Sequence, residues 1–117
     1  MRHHVATRTL NRDKRQRTAL MRSLARSLVL HEGITTTIAK AKELRPMIER
    51  LVTVSKANSV ASRRTVSARL ASPEAVKKLH DSIAPRYMER NGGYTRIVKL
   101  GRIGTRVGEQ ARIEFVK

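Results

Sequence analysis

Residues 13–31, DKRQRTALMRSLARSLVLH, carry the clearest periodic pattern in this chain of 117 residues. At ~100° per residue, three leucines fall on one side of a helix and three arginines on the opposite side. The leucines are Leu20, Leu24 and Leu28, and the arginines are Arg15, Arg22 and Arg26. No acidic residue lies among these arginines to form the (i, i+4) ion pairs that stabilise exposed helices. The pattern therefore predicts an amphipathic helix whose leucines face a core and whose arginines face an anion.

The same segment also carries signals for the two ends of the helix. Asp13 can cap the N-terminus by accepting a hydrogen bond from the first turn, and Asn11 is a rival for this role. Gly33 is expected to end the helix, because glycine tolerates the left-handed conformation found at helix C-termini. The sequence therefore predicts one helix over residues 13–31.

The arginine face belongs to a strongly cationic chain. The sequence has 26 Lys and Arg residues against 9 Asp and Glu residues, which gives a formal net charge of +17. Such an excess of one charge repels itself in a compact monomer, and binding to a polyanion removes the repulsion. Of the 26 cations, 18 are arginine, the side chain that forms bidentate bonds to phosphate. Nucleic acid is therefore the first candidate partner and an anionic membrane surface the second.

The residues that a catalytic or metal site would need are sparse. The chain has no cysteine, which excludes disulfides, thiolate metal sites and a cysteine nucleophile. His3 and His4 are adjacent, but they lie in a segment too polar to fold alone. Neither a phosphate-binding glycine loop followed by Lys-Ser/Thr nor a dinucleotide fingerprint occurs. We therefore expect no enzymatic activity, no cofactor, no bound metal and no small-molecule substrate.

The sequence also argues against a membrane partner. No apolar run approaches the ~20 residues of a membrane span, and the first residues lack the apolar stretch of a secretory signal. The helix over residues 13–31 has a basic face but no Trp or Phe on the opposite face, and its leucines are needed for the core. We expect a soluble protein of the cytoplasm or of an organelle.

The middle of the chain is expected to contain one strand and two helices. The β-branched run ITTTI at residues 34–38 favours a strand. Helical spacing returns over residues 39–56, where Pro46 favours a helix that starts around residues 41–45, with a kinked helix as the alternative. Residues 60–71 show a second helical pattern, with arginines on its exposed side.

A third helix of this region has a clear start signal. Ser72, Pro73 and Glu74 are typical of an N-cap, a first turn and an acid that compensates the helix dipole. Pro85 is expected to end this helix. Three apolar residues at helical spacing are expected to face the core: Val76, Leu79 and Ile83.

Two strands are expected near the C-terminus, YTRIVKL at residues 94–100 and ARIEFVK at residues 111–117. In the second strand, Ala111, Ile113 and Phe115 alternate with more polar residues, which indicates one buried face. A loop rich in glycine and arginine joins the strands as a hairpin. The predicted fold class is α+β, with helices packed on one face of a small mixed sheet made of the early strand and this hairpin.

Residues 1–12 differ from the rest of the chain. They combine Arg2, Arg8 and Arg12 with few apolar groups, which is typical of a segment that orders only against phosphate. We therefore divide the chain into a basic N-terminal arm, residues 1–12, and a single α+β RNA-binding domain, residues 13–117.

The distribution of cations indicates the kind of nucleic acid. Zinc fingers, basic zippers and helix–turn–helix motifs are not recognisable, and neither is the aromatic motif of RNA-recognition sheets. Basic residues run through every element, which favours a protein surrounded by folded RNA. A nucleoid-type protein that binds DNA without sequence preference is the alternative.

Several short motifs resemble one protein family. The stretches MRH, LNRD, LHEGITTT, KAKELR and NGGYTRIVKLG occur in the order found in the bacterial-type large-subunit ribosomal protein L17 family. The resemblance extends from the first residue to the last. It implies a structural constituent of the large ribosomal subunit that binds the large rRNA near the peptide exit tunnel, takes part in translation, and has neighbouring ribosomal proteins as partners. It also implies helices packed on a small mixed sheet.

The expected rRNA contacts are mostly cations, joined by the NGGY turn. Gly92 and Gly93 permit positive φ angles and leave no side chain between the backbone and RNA. Tyr94 either stacks on RNA or belongs to the core. The residues expected to bind rRNA are Arg2, His3, Arg8, Arg12, Lys14, Arg15, Arg17, Arg22, Arg26, Lys40, Lys42, Arg63, Arg64, Gly92, Gly93, Tyr94, Arg96, Lys99, Arg102 and Arg106.

Overall fold

Four helices precede a C-terminal hairpin in the computed structural model, which describes residues 10, 12–105 and 108–117. The helices are α1 (Lys14–His31), α2 (Ile38–Ser55), α3 (Val60–Leu70) and α4 (Pro73–Lys78). The strands are β1 (Gly33–Thr37), β2 (Thr95–Gly101) and β3 (Gln110–Phe115). A π-helical turn (Leu79–Ile83) and a 3-10 turn (Ala84–Tyr87) continue from α4.

The three strands form one sheet in the order β1-β3-β2. β3 is central and pairs antiparallel with both neighbours, so that Ile113 lies opposite Ile34 on one side and Ile97 on the other. The predicted α+β class is confirmed, but the sheet is antiparallel throughout rather than mixed. The early strand runs opposite to β3 because it enters the sheet directly from α1.

Both ends of α1 have a defined cap. Asp13 accepts a hydrogen bond from the Gln16 amide at 2.8 Å, which confirms it as the N-cap. The helix ends at Glu32, whose φ of 63° is left-handed, and not at Gly33 as expected. Gly33 is instead the first residue of β1. A Cβ there would lie 2.3 Å from the Arg112 guanidinium, so the glycine leaves space for the end of that side chain.

The buried face of α1 is turned away from the predicted leucine row. The residues of α1 that are buried are Met21, Ala25, Leu28 and Val29. Leu20 and Leu24 are only half-buried at the edge of this face. At ~100° per residue the buried face is rotated by roughly 80° from the centre of the leucine row. Arg22 therefore lies close to the packed side of α1, and not directly opposite to it.

The start of α2 corrects two predictions. The helix begins at Ile38, because the hydroxyl of Thr37 accepts a hydrogen bond from the Lys40 amide at 3.4 Å and caps it. Ile38 is therefore helical, and the strand before it begins and ends one residue earlier than the predicted ITTTI. Pro46 lies in the interior of the helix and not in its first turn. Since proline has no amide hydrogen, the carbonyl of Lys42 lacks its usual helical donor.

The predicted helices after residue 59 are confirmed in type and position. Ser59 and Ser62 form a capping box at the start of α3, and Ser72 caps α4 with Pro73 in the first turn. The three residues predicted to face the core are buried: Val76, Leu79 and Ile83. The α-helix itself ends at Lys78, before the expected stop at Pro85, which lies within the 3-10 turn.

The core fills the space between the helices and one face of the sheet. It is mostly aliphatic, as Leu28, Ile48 and Leu70 are fully buried. Each such side chain contributes about 1.5–3 kcal/mol on leaving water. Tyr94 joins this core, with its ring centroid 5.2 Å from that of Tyr87. The predicted alternation in the last strand is also confirmed, because its three apolar residues are buried: Ala111, Ile113 and Phe115.

Candidate nucleic-acid interface

Cations from three helices share one surface where α1, α2 and α3 meet. A groove of about 820 Å³ opens between these helices. Five cationic residues line it: Arg17, Arg22, Lys42, Arg50 and Arg69. We call this surface the cationic groove. Its walls come from three helices. Because α1 buries Met21 and Ala25, Arg17 and Arg22 on either side of that buried face lie next to α2 and α3.

The floor of the cationic groove is apolar. The apolar lining residues are Met21, Pro46, Met47 and Ala68. Met21 is buried and Met47 is half-buried against the core, while the other two are exposed. Thr18, Thr65 and Glu43 complete the lining. A ligand in this groove would meet positive charge at the rim and hydrocarbon and sulfur beneath.

Most of the groove cations lack a carboxylate partner. In the described part of the chain, Arg17, Lys42 and Arg50 form no ion pair. Arg22 donates from Nε to the carbonyl oxygen of Arg69 at 3.3 Å, which ties α1 to the end of α3 and fixes the guanidinium. Charges held close together without acid partners raise the local positive potential and attract polyanions.

The first turns of α1 extend this positive surface. Lys14 and Arg15 flank a shallow depression that also includes Thr18 and Arg22, both of which line the cationic groove. Lys14 and Arg15 are exposed. Predicted contacts on α1 and α2 are thus brought into one surface, which includes Arg17, Arg22 and Lys42.

A second group of predicted contacts lies on the outer face of the sheet. Arg96 on β2 and Arg112 on β3 both approach the carboxylate of Glu114, at 3.6 and 3.7 Å. Lys99 and Arg102 follow along β2 and into the loop, and both are exposed. These arginines differ from those of the cationic groove, because an acid already neutralises part of their charge.

A third group lies on α3. Arg63 donates to the side-chain oxygen of Asn58 at 3.0 Å and to Asp81 at 3.3 Å. Arg64 is exposed on the neighbouring position of α3 and lines a shallow depression with Lys77 and Asp81. Arg63 therefore helps to join α3 to the π-helical turn, and Arg64 is the more accessible of the two.

The structure corrects the expectation that Tyr94 stacks on RNA. Tyr94 is 1% exposed and its hydroxyl lies 3.1 Å from the Thr53 hydroxyl. The ammonium of Lys56 lies 4.7 Å from the ring centroid. The core alternative is thus the observed one. Gly92 and Gly93 do adopt positive φ angles, 88° and 64°, with open space around them.

The remaining predicted contacts are not gathered into any of these groups. Arg26 and Lys40 are half-buried on α1 and α2, and Arg12 is exposed. Four predicted contacts lie outside the described residues: Arg2, His3, Arg8 and Arg106.

Sequence reasoning also missed Arg50 and Arg69. Arg50 lines the groove from α2 and Arg69 lines it from α3, and neither was among the predicted contacts. Nothing in the local sequence distinguishes them from other exposed arginines.

A separate cluster of charges serves the fold. Glu32 accepts a hydrogen bond from Arg86 and forms an ion pair with Lys78 at 3.4 Å. Lys78 also donates to the carbonyl oxygen of Leu30 at 2.7 Å. The hydrogen bond from Arg86, together with the charge of both cations, holds the pKa of Glu32 below its ordinary value despite some burial. We call these three residues the Glu32 anchor, because they join the end of α1 to α4 and the 3-10 turn.

Across residues 10, 12–105 and 108–117, no group of three or more potential metal ligands is present. None of the helices in that part of the chain combines the length and the apolar character needed to cross a bilayer.

Fold and surface together define a small α+β protein with a cationic groove suited to a polyanion. A family model for ribosomal protein L17 matches residues 20–116. A protein of Sphingopyxis alaskensis is 49% identical over 116 residues, which cover 99% of this chain and 84% of that protein. A protein of Sulfurihydrogenibium is 50% identical over 119 residues, covering 100% of this chain and 98% of that protein.

A third relative, from Solibacter usitatus, is 49% identical over 99% of this chain and 77% of its own length. All three relatives carry the name large ribosomal subunit protein bL17. The chain therefore belongs to the ribosomal protein L17 family, as its motifs indicated.

Proposed function

We propose that this protein is a structural constituent of the large ribosomal subunit and that it binds the rRNA of that subunit. The observation that carries the proposal is the match to three proteins of that name over 99–100% of the chain. The net charge of +17 supports the same conclusion, because a polyanion compensates it. The alternative of a nucleoid DNA-binding protein gains no support from these relatives.

The cationic groove and the adjoining turns of α1 are the proposed primary rRNA contact. Seven cations contribute to this surface: Lys14, Arg15, Arg17, Arg22, Lys42, Arg50 and Arg69. If each neutralised one phosphate, affinity would fall by roughly 10³-fold or more between 50 and 200 mM salt. Electrostatic contact is therefore insufficient at cellular salt, and a fit to the shape of folded RNA has to supply the remaining affinity.

The other predicted contacts are proposed to bind rRNA more weakly or from other sides. Arg64 and Lys99 are exposed cations on α3 and β2, and Arg96 would have to share its charge with Glu114. Residues 1–12 are proposed to be an arm that orders on rRNA, attached to a single domain of residues 13–117. The remaining members of the proposed set are Arg2, His3, Arg8, Arg12, Arg26, Lys40, Arg63, Gly92, Gly93, Arg102 and Arg106.

Location, neighbours and activity follow from membership of the subunit. We place the protein near the peptide exit tunnel, beside other large-subunit proteins, on ribosomes of the cytoplasm or of an organelle. Its role there is to stabilise folded rRNA, without catalysis.

Sedimentation tests the proposal. Lysate of cells that express the full chain with an epitope tag is centrifuged through a sucrose cushion at high salt. The tagged chain is expected in the large-subunit fraction, and it should remain there after DNase treatment and leave after RNase treatment. Recovery in a DNase-sensitive fraction would overturn the proposal in favour of the DNA-binding alternative.

A further inference from the structure

The cationic groove has a feature that phosphate binding alone does not require. Its floor is made of Met21, Met47 and Pro46, which offer hydrocarbon and sulfur but few polar atoms. Neutralising the phosphates of a nucleic acid needs cations at the surface, but not an apolar surface beneath them. A concave site with a cationic rim and an apolar floor is complementary to a group that carries both charge and a flat apolar face.

We propose that the cationic groove holds one unstacked nucleotide of rRNA, with its base against Met21 and Met47 and its flanking phosphates at the rim. This inference rests on the proposed function, because it names the part of the rRNA that the groove takes. Sequence-specific recognition of RNA commonly uses bases that are splayed out of loops and bulges.

The size of the groove suits this occupant. Its volume is about 820 Å³, within the ~300–1,000 Å³ of sites that enclose small ligands. A base with its ribose therefore fits between α1, α2 and α3, while a double helix does not enter a space of that size. Only the flanking phosphates of the nucleotide have to reach the rim.

The side chains at the floor and rim provide specific contacts for a base. Methionine sulfur interacts favourably with the edge of an aromatic ring, and a base presents such an edge. Arg22 donates a hydrogen bond to the carbonyl of Arg69 at 3.3 Å, which directs its planar guanidinium toward the end of α3. A guanidinium plane is one of the surfaces on which unstacked RNA bases stack.

The charge of the rim favours RNA over the other possible occupant, an acidic peptide. Five cations surround the groove, and Arg17, Lys42 and Arg50 are without ion-pair partners among the described residues. Phosphates supply regularly spaced negative charge on both sides of a single base, which matches cations on opposite walls. A peptide occupant is an outcome that the experiment below would detect.

The first experiment measures the affinity of the full chain for deproteinised large-subunit rRNA as a function of salt. The substitution Met47→Ala is expected to weaken binding about tenfold, because a base loses its apolar support. It should leave the dependence of log affinity on log salt unchanged, because no charge is removed. The matched control is Met88→Ala, at an exposed methionine outside the groove, which should bind as the unmodified chain does.

The results separate the inference from the proposed function. Unmodified chain that does not bind rRNA would overturn the proposed function. If the unmodified chain binds rRNA and the Met47→Ala and Met88→Ala variants bind it with equal affinity, the inference is overturned and the proposed function stands. Circular dichroism at the assay temperature should show equal helix content in both variants. A weaker affinity of Met47→Ala is then caused by the change in the groove and not by unfolding.

A second experiment identifies the occupant inside the subunit. The photo-reactive amino acid p-benzoylphenylalanine replaces Met47 in the full chain, and purified large subunits that contain it are irradiated. A crosslink to one unpaired or bulged nucleotide is the expected result. A crosslink to a protein, to a base-paired nucleotide or to nothing would overturn the inference. The same replacement at Met88 should not label that nucleotide.

Discussion

The cationic groove and the Glu32 anchor use the same kinds of residue for different purposes. In the anchor, Arg86 and Lys78 are both bound to one carboxylate, and they connect α1 to the segment after α3. In the groove, Arg17 and Arg50 line an open surface and form no ion pair with any described residue. The difference is that the two anchor cations form ion pairs with one carboxylate, whereas these two groove cations form none with the described residues.

This comparison shows how so cationic a chain can fold and still bind a polyanion. Three acidic residues pair with cations that join elements: Glu32 at the end of α1, Glu114 in the central strand and Asp81 in the π-helical turn. Within the described part of the chain, Arg17, Lys42 and Arg50 of the groove form no such ion pair, and their charges repel one another. Binding of rRNA removes this repulsion, so the groove is expected to govern affinity and the anchor to govern stability.

The largest expected effect is on rRNA affinity. In the double variant Lys42→Gln/Arg50→Gln, the groove loses two cations that have no described ion-pair partner. Each phosphate contact contributes about 0.9 of a decade at ~0.1 M salt, so affinity should fall roughly 60-fold and the salt slope by about 2. Filter binding to deproteinised large-subunit rRNA over a series of salt concentrations measures both quantities.

Arg45→Gln is the matched control for this variant. Arg45 is exposed on the same helix, but it pairs with Glu49 at 3.5 Å and lies outside the groove. Its replacement should change affinity by less than about threefold. A loss of log affinity from the control that is half that of the double variant would show that net charge, and not the groove, determines binding, because the control removes one charge and the double variant two.

The wall of the groove can be strengthened without any change of charge. Ala71 ends α3 with a left-handed φ of 53°, and its amide donates to the Ser67 carbonyl at 2.8 Å. Ala71→Gly should raise the free energy of unfolding by about 1 kcal/mol, because the Cβ strain of that conformation is removed. Urea unfolding measures the gain, and rRNA affinity should stay the same. A loss of stability would contradict the described end of α3.

The Glu32 anchor should respond to acid. Glu32→Gln is expected to cost about 0.5–1 kcal/mol at neutral pH, a small value because Glu32 and Arg86 are 36% and 39% exposed and water screens the pair. The folded-state pKa of Glu32 lies below its ordinary value of 4.5. The stabilisation is therefore complete above about pH 4.5 and is lost as the pH falls through the folded-state pKa.

Urea unfolding of both chains at pH 7 and at pH 3 tests this dependence. The difference in unfolding free energy between the unmodified chain and Glu32→Gln should shrink at the lower pH. A difference that is equal at both pH values would show that the anchor does not depend on the charge of Glu32. Affinity for rRNA at neutral pH should be the same for both chains.

The smallest expected effect concerns the sheet. Arg96→Gln should lower rRNA affinity by less than about threefold, because Arg96 must give up part of its interaction with Glu114 to bind a phosphate. The same binding assay measures the rRNA affinity of Arg96→Gln and of Arg50→Gln, and the affinity of Arg50→Gln should fall by about 0.9 of a decade. If Arg96→Gln had the larger effect, the outer face of the sheet would be the principal contact.

Local signals predicted most of the elements but not how they pack. Asp13 and Ser72 mark two helix starts correctly, because a cap acts within one turn of its own helix. The buried face of α1 was predicted only in part: Leu28 is fully buried as expected, but Met21 and Ala25 pack more deeply than Leu20 and Leu24. Which side of an amphipathic helix is buried depends on its neighbours, and the leucine spacing alone does not contain that information.

Pro46 shows a second limit of local reasoning. Proline disfavours a helix interior, so a start close to Pro46 was the natural expectation. The cap at Thr37 and the buried side chains of Ala41 and Leu44 hold the preceding turns in the helix. Packing of an apolar face outweighs one missing hydrogen bond here, since each buried large side chain contributes about 1.5–3 kcal/mol.

The candidate site could be predicted only in part for a related reason. Cations of α1 and of the start of α2 were expected from their density in the sequence, and several of them do line the groove. Arg50 and Arg69 stand 19 residues apart in the chain, and only the packing of α2 against α3 brings them to one surface. Tyr94 was ambiguous in sequence, because an aromatic residue after two glycines suits either a core or a stacking surface.

A structure of the large ribosomal subunit that contains this chain tests the central claim most directly. The account predicts rRNA phosphates within about 4 Å of at least three of the five groove cations, and fewer phosphates around the Glu32 anchor. A groove that faces solvent or another protein, with the rRNA contacts elsewhere on the chain, would contradict it.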